Sequence, residues 1–145
     1  MNSQLLEIYK LYVEMADRIS QRRQTGNSFF LSINTAVIGA VGYVGFGEAG
    51  KVDAVFYTFI AIAGLVLCFL WFALILSYKS MNTHKFTVIH EIEQFLPFAP
   101  YDREWEIAKK GEDWATHIPF TYIEMLVPLV FLLLHLFVLI YGQNI

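Results

Sequence analysis

The chain has 145 residues, 57% of them apolar and 16% charged, and a net charge of −3. The length suits one domain, but the apolar content and positive mean hydropathy exclude an ordinary soluble protein. No basic patch with interleaved aromatic residues is present, which argues against nucleic acid as a partner. Cys68 is the only cysteine, so no intrachain disulfide is expected.

Residues 1–26 are predicted to form an amphipathic helix. Apolar residues recur at helical spacing along one face, from Leu5 to Ile19, and charged residues occupy most of the rest. The polar face mixes both signs of charge, which favours packing against another helix over lying on a lipid surface. The interfacial position stays open as the alternative.

Three apolar stretches follow, each near the roughly 20 residues that a helix needs to cross a bilayer. We predict transmembrane helices at 27–47, 55–78 and 119–141, with an outer loop at 48–54 and an outer tail at 142–145. The second stretch contains no charged residue. The third contains Glu124 and Pro128 near its start, so a two-span arrangement stays open.

The distribution of cations predicts the orientation of the chain. Nine of the ten Lys and Arg residues flank the spans on one side, and only Lys51 lies in the predicted outer loop. Cationic flanks are retained on the cytoplasmic face, so the N-terminus is expected inside and the C-terminus outside.

A cytoplasmic helical segment is predicted at 79–118. No helix breaker occurs between Tyr78 and Leu96, so the second span is expected to continue as one long helix until Pro97 and Pro100 stop it. A further short helix is predicted over 101–110. Two amphipathic pieces on one side imply a compact cytoplasmic layer, which is more easily completed between subunits than within one.

Small residues form a ridge on the first span. Ser28, Ser32, Ala36 and Ala40 recur at a spacing of four residues, which lets another helix approach closely. The sequence leaves open whether that helix is internal or belongs to another copy.

Three polar residues lie inside the predicted spans: Asn34, Glu124 and His135. Such groups are costly in a membrane and usually have a partner or a transport role. Glu124 and His135 are eleven residues apart, close to three helical turns, so they share one stripe of the third span. Asn34 and Glu124 are positioned for hydrogen bonds across helices, and an ion or proton path is the alternative.

No motif indicates an enzyme. The G-x-G-x-x-G string at 45–50 follows an apolar span and lacks the βαβ context of a dinucleotide site. His84 and His90 are six residues apart, so with Glu91 and Glu93 they do not form a helical ligand set. We expect no catalytic residue, no metal and no cofactor.

Two segments resemble a known family of small bacterial inner-membrane proteins, the RipA-like octameric membrane proteins. The segments are RRQTGNSFFLSINT at 22–35 and KFTVIHEIE at 85–93, with PYDREW at 100–105 following the second. Bacterial SLATT-type effectors are similar in layout, but they have two spans. The resemblance implies a homo-oligomer in a bacterial cytoplasmic membrane, in pathogens linked to growth inside host cells. It implies no catalytic residues.

The sequence therefore predicts an all-α membrane protein, with three transmembrane helices plus cytoplasmic amphipathic helices, that assembles into a ring-like homo-oligomer in the lipid bilayer. The leading function is a scaffold in envelope or host-adaptation physiology, with a protein partner on the cytoplasmic face. An ion channel or pore-forming effector with a path along Glu124 and His135 is the alternative, and a transporter ranks third. Subunit or cytoplasmic contacts are expected from Arg22, Arg23, Asn27, Lys85, His90, Glu91, Glu93 and Trp105.

Overall fold

The computed structural model describes residues 3–46, 53–108 and 120–142, and the regular structure within these ranges is entirely helical. The helices are α1 (Ser3–Phe46), α2 (Ala54–Glu93), α3 (Pro100–Ile107) and α4 (Phe120–Gly142). Three of them, α1, α2 and α4, are long and apolar enough to cross a membrane. The predicted fold class is confirmed.

Helix α1 is one continuous helix. Its 44 residues at about 1.5 Å each give a length of roughly 66 Å. The change in composition near residue 26, from amphipathic to apolar, leaves no break in the backbone. Gly26 instead lets α2 come close, since a Cβ at this position would lie 2.7 Å from the Leu74 side chain.

Helix α2 also continues well beyond its apolar half, as the absence of a breaker predicted. It ends at Glu93, and the prolines that follow prevent its continuation. Helix α3 begins with Pro100 in its first turn, a position where the missing N–H of proline has no intrahelical partner to lose. It ends at Ile107, three residues before the predicted end.

Helix α4 has 23 residues and contains Pro128 in its interior. Proline has no N–H, so the carbonyl of Glu124, four residues earlier, receives no helical bond from it. The helix nevertheless extends to Gly142. The three candidate spans favour the three-span arrangement over the two-span alternative.

One face of α2 forms the centre of the bundle. Its buried residues in the apolar half recur every three or four positions: Tyr57, Ala61, Gly64, Cys68, Trp71 and Ile75. This spacing places them on a single stripe along the helix. Both α1 and α4 pack on α2, and polar side chains join all three helices.

Several predicted segments lie outside the described residues. These are most of the outer loop at 48–54, the outer tail beyond Gly142, the glycine string after Phe46, positions 109–118 of the predicted cytoplasmic segment, and position 119 at the start of the predicted third span.

Candidate functional site

An ion pair between α1 and α4 forms the first polar network, which we call the Arg23 network (Arg23, Asn27, Trp71, Thr121 and Glu124). The Arg23 guanidinium donates from Nε to Glu124 Oε2 at 2.7 Å, and Nη2 also pairs with this oxygen. Nη2 donates further to Thr121 Oγ1 at 3.1 Å. The Arg23 and Glu124 side chains are 14% and 11% exposed, so the pair is largely shielded from solvent.

Asn27 extends this network to α2. Its amide Nδ2 donates to Glu124 Oε1 at 2.9 Å, and its Oδ1 accepts from Trp71 Nε1 at 2.8 Å. Both carboxylate oxygens of Glu124 therefore have partners. A buried ion pair is tolerated when extra hydrogen bonds satisfy its charged groups, and this arrangement meets that condition.

Aromatic rings border the Arg23 network. The Arg23 guanidinium lies over the Phe120 ring at 5.8 Å. Phe30 stacks on Trp71 at 5.8 Å, and Phe131 lies 6.2 Å from the same indole. The latter two contacts hold the Trp71 indole where its N–H reaches Asn27.

The second network lies deeper in the apolar part and centres on Asn34; we call it the Asn34 network (Asn34, Cys68 and His135). Asn34 Oδ1 is 3.0 Å from His135 Nε2 and accepts from Cys68 Sγ at 3.5 Å. All three residues are completely buried. Asn34 Nδ2 donates to the Phe30 carbonyl at 2.8 Å, which fixes the orientation of the amide.

This geometry assigns the proton of His135. Asn34 Oδ1 only accepts hydrogen bonds, so His135 Nε2 carries the hydrogen and donates it. The opposite ring nitrogen, Nδ1, is buried and has no hydrogen-bond partner among the described residues. A neutral imidazole with its proton on Nε2 fits this site.

Gly64 makes room for the His135 ring. A Cβ at this position would overlap the imidazole atoms, so no other residue fits without displacing the ring. The imidazole therefore packs directly on the α2 backbone. The close approach holds α4 at the level where His135 meets Asn34.

The third network lies at the polar end of the bundle, where Glu93 caps α3; we call it the Glu93 cap (Tyr9, Glu93, Tyr101 and Asp102). The backbone N–H groups of Tyr101 and Asp102 donate to Glu93 Oε1 and Oε2 at 3.0 and 3.2 Å. Tyr9 on α1 donates its hydroxyl to Glu93 Oε1 at 2.8 Å. The Glu93 side chain is only 1% exposed.

This cap replaces a local one. The residue before α3, Ala99, has no side chain that could bond to the free N–H groups of the first turn. A carboxylate also interacts favourably with the positive end of a helix. Glu93 therefore fixes α3 against α2, and Tyr9 adds α1 to the same contact.

Burial and the surrounding acids change the titration of both tyrosines. Burial, followed by the hydrogen bond to Glu93 and its negative charge, raises the pKa of Tyr9 far above the ordinary value. Burial, followed by the charges of Glu104 and Glu93, also raises the pKa of Tyr101. Both phenols stay neutral at physiological pH.

The other predicted contact residues differ in their surroundings. The Lys85 ammonium lies 4.7 Å over the Tyr12 ring, and His90 Nδ1 is 3.4 Å from Glu93 Oε2. Trp105 is half exposed, and Arg22 and Glu91 are exposed. Contacts of these residues with another copy stay a prediction.

The structure pairs the intramembrane residues in a way that the sequence did not specify. Asn34 and Glu124 both bond across helices, but Asn34 bonds with His135 and Glu124 with Arg23 and Asn27.

Sequence reasoning missed Trp71 and Thr121 altogether. An indole N–H within a span needs an acceptor, and this requirement was the signal for Trp71.

Within one chain, Tyr9 and Tyr12 of α1 contact Glu93 and Lys85 of α2 in the polar layer. Completion of this layer between subunits stays a prediction. The small-residue ridge of α1 is not covered by another described helix of the same chain, because Ser28, Ser32, Ala36 and Ala40 are exposed. No cluster of three or more His, Cys, Asp or Glu residues that fits a metal ion occurs in the described ranges.

Fold and networks together define a helical membrane protein with three candidate spans held together by buried polar contacts. The chain belongs to the octameric membrane protein family (8xMP), whose model matches residues 6–142. This match confirms the resemblance to octameric membrane proteins. The family's name supports self-association of the chain and its location in a membrane. Neither a curated protein nor a solved structure matches the chain.

Proposed function

We propose that this protein is a non-enzymatic scaffold: a homo-oligomer in the cytoplasmic membrane of a bacterium. Its helical polar layer lies in the cytoplasm, with the N-terminus inside and the C-terminus outside. The cation distribution supports this orientation. The resemblance to the RipA-like proteins supports a role in envelope or host-adaptation physiology.

One observation carries the proposal: Asn34, Glu124 and His135, inside the spans, bond to other helices of the same subunit. Asn34 and His135 are completely buried, and both oxygens of Glu124 accept hydrogen bonds. An ion path needs polar groups that face a hydrated axis and exchange partners with the ion. Groups that already hold α1, α2 and α4 together suit a rigid assembly better than a conducting one.

The polar layer supports the same function. Glu93 and Tyr9 fix α3 in place, while Phe95 and Phe98, beside it, are 74% and 65% exposed. A rigid support that presents exposed aromatic side chains suits recognition of a protein partner. An anchor without a partner needs neither feature.

Ion flux in liposomes tests the proposal against the channel alternative. The purified oligomer is reconstituted, and cation, anion and proton flux are measured against protein-free liposomes and against a known ionophore. We expect no flux above the protein-free level. Flux that changes in Glu124→Gln or His135→Leu variants would overturn the scaffold proposal in favour of a channel.

A further inference from the structure

Two consecutive arginines of α1 have different surroundings. Arg23 faces α4 and pairs with Glu124. Arg22 is exposed, and among the described residues it has neither a carboxylate nor any other hydrogen-bond partner. Successive residues of a helix point in directions about 100° apart, so the two guanidinium groups leave α1 on different sides. Because a guanidinium stays charged in proteins, Arg22 presents a positive charge that this subunit does not neutralise.

Arg22 lines a cavity of about 500 Å³ between α1 and α2. Other residues that line it are Arg18 and Thr25 of α1 and Leu74 and Tyr78 of α2. The two helices approach closely here because Gly26 leaves room, and a Cβ at this position would lie 4.0 Å from the Tyr78 ring. The close approach places Tyr78 beside α1, one turn from Arg22.

Two hydrogen-bond donors of this cavity have no partner among the described residues. They are the Arg22 guanidinium and the Tyr78 hydroxyl. Arg18, by contrast, pairs with Glu14 at 2.6 Å. Phosphate oxygens accept hydrogen bonds from both kinds of donor, and the planar fork of a guanidinium can bind two of them at once. The chemistry of the cavity therefore suits a phosphate group.

Tyrosines place the cavity at the polar boundary of the spans. At its level, Lys79 lies 5.5 Å over the ring of the exposed Tyr122. Arg22 is 21 positions from the exposed Tyr43, and Tyr122 is 19 positions from the exposed Tyr141. These intervals correspond to roughly 32 and 29 Å of helix, close to the thickness of about 30 Å of a hydrocarbon core. Tyrosines favour both boundaries of that core, so the cavity lies at the depth of lipid headgroups.

Deeper in the spans, the same two helices present apolar side chains. Phe29 on α1 and Leu70 on α2, three and four positions beyond Gly26 and Leu74, are 59% and 55% exposed. Hydrocarbon chains solvate such side chains well. A phospholipid can therefore extend its tails past Phe29 while its phosphate lies at Arg22. One net negative charge on the lipid neutralises Arg22, whereas a zwitterionic lipid adds an ammonium group of its own.

We propose that this cavity binds the phosphate of an anionic phospholipid, with Arg22 and Tyr78 as its hydrogen-bond donors. The inference goes beyond the scaffold function and requires only that the chain spans a membrane. Free phosphate offers the same acceptor oxygens, but it has no tails to lie along the apolar side chains below the cavity. A bound lipid also bridges α1 and α2 at the boundary of the membrane.

Lipid titration of the purified oligomer in mild detergent tests the proposal. Phosphatidylglycerol is added, and native mass spectrometry counts the lipids bound to each subunit. We expect Arg22→Gln to weaken binding by about tenfold or more, because a hydrogen bond to a charged group contributes at least that much. Tyr78→Phe should weaken it by roughly threefold. The matched control is Lys79→Gln, which removes a charge at the same depth outside the cavity and should stay within about twofold of the parent protein.

Other outcomes would overturn the inference. Equal weakening in Arg22→Gln and Lys79→Gln would show general attraction between surface charge and lipid. Equal binding of phosphatidylcholine by the parent protein would remove the preference for an anionic lipid, and full displacement by millimolar inorganic phosphate would identify a soluble ligand. An Arg22→Gln protein that loses its oligomer but binds lipid normally would make Arg22 a subunit contact. Melting temperatures establish that the variants fold, and Tyr78→Phe tests the cavity without changing its charge.

Discussion

A single carboxylate, Glu124, holds α4 against α1 through Arg23 and Asn27. Its negative charge is tolerated at the start of an apolar helix because a guanidinium and an amide satisfy both oxygens. His135, eleven residues later, meets Asn34 in the same manner without a charge. At the scale of residues, Asn34, Glu124 and His135 each bond to a group on another helix.

Removing one member of the ion pair should cost much more than removing both. Glu124→Ala leaves the Arg23 guanidinium buried without a counter-charge, and we expect it to cost roughly 3–5 kcal/mol of stability. The double variant Arg23→Met with Glu124→Met replaces the pair by apolar side chains and should recover most of this loss. Thermal unfolding followed by tryptophan fluorescence gives the comparison. A double variant that is less stable than Glu124→Ala would contradict this account of the pair.

The contact between Gly64 and His135 can be tested with one methyl group. Gly64→Ala places a Cβ in the imidazole ring, and overpacking of this kind costs about 1–3 kcal/mol. Gly45→Ala is the matched control, because a Cβ there would meet only the Tyr57 hydroxyl at 3.5 Å. Melting temperatures of the two variants should differ clearly, with only Gly64→Ala lowered. Equal melting temperatures would show that the ring moves aside without cost.

At the scale of elements, the described residues form two very long helices, α1 and α2, the 23-residue helix α4, and the short helix α3, which Glu93 caps. α1 and α2 extend from the apolar bundle into the polar layer without interruption. α3 has eight residues, too few for a stable isolated helix in water. Its order therefore depends on Glu93.

Loss of the cap should release α3 selectively. Glu93→Ala removes the acceptors of the Tyr101 and Asp102 N–H groups, and loss of a cap costs about 1 kcal/mol or more. Hydrogen exchange within 100–107 should then accelerate by roughly five- to tenfold, while exchange in α4 stays unchanged. The control is Glu91→Ala, which removes an exposed carboxylate two residues earlier. Equal acceleration in both variants would contradict the role of Glu93.

High pH should weaken the same contact. The pKa of Tyr9 is raised in the folded protein, so its stabilisation is complete below its unfolded value of about 10 and is lost as the pH rises through the folded-state pKa. Ultraviolet absorbance should show a late ionisation to which Tyr9 and Tyr101 contribute, and Tyr9→Phe should make this late change smaller. Tyr43→Phe, which removes an exposed phenol far from Glu93, is the control and should leave the late absorbance change at its full size. A Tyr9→Phe protein with an undiminished late absorbance change would contradict this role of Tyr9.

Sequence patterns predicted the elements better than the contacts. The apolar lengths predict three spans, and the run without breakers before Pro97 predicts that α2 is long. The partners of Glu124 lie about 100 residues away in sequence, and no local pattern selects Arg23 over Arg22. That choice depends on how α1 is rotated against α4, which packing on α2 decides. The continuity of α1 through residue 26 was missed because a change of composition is not a helix stop signal.

At the scale of the whole molecule, polarity is distributed in two ways. Strongly polar groups of the spans face one another inside the subunit, and the small residues Ser28, Ser32, Ala36 and Ala40 of α1 remain exposed. The first group stabilises one copy, and the second is left uncovered within that copy. This division agrees with a member of a family of octameric membrane proteins.

Single-particle imaging of the assembly in lipid nanodiscs tests this division most directly. We expect Glu124 and His135 to keep Arg23 and Asn34 as their partners within each subunit of the oligomer. A ring whose hydrated axis is lined by Glu124 and His135 would contradict the account and identify a channel.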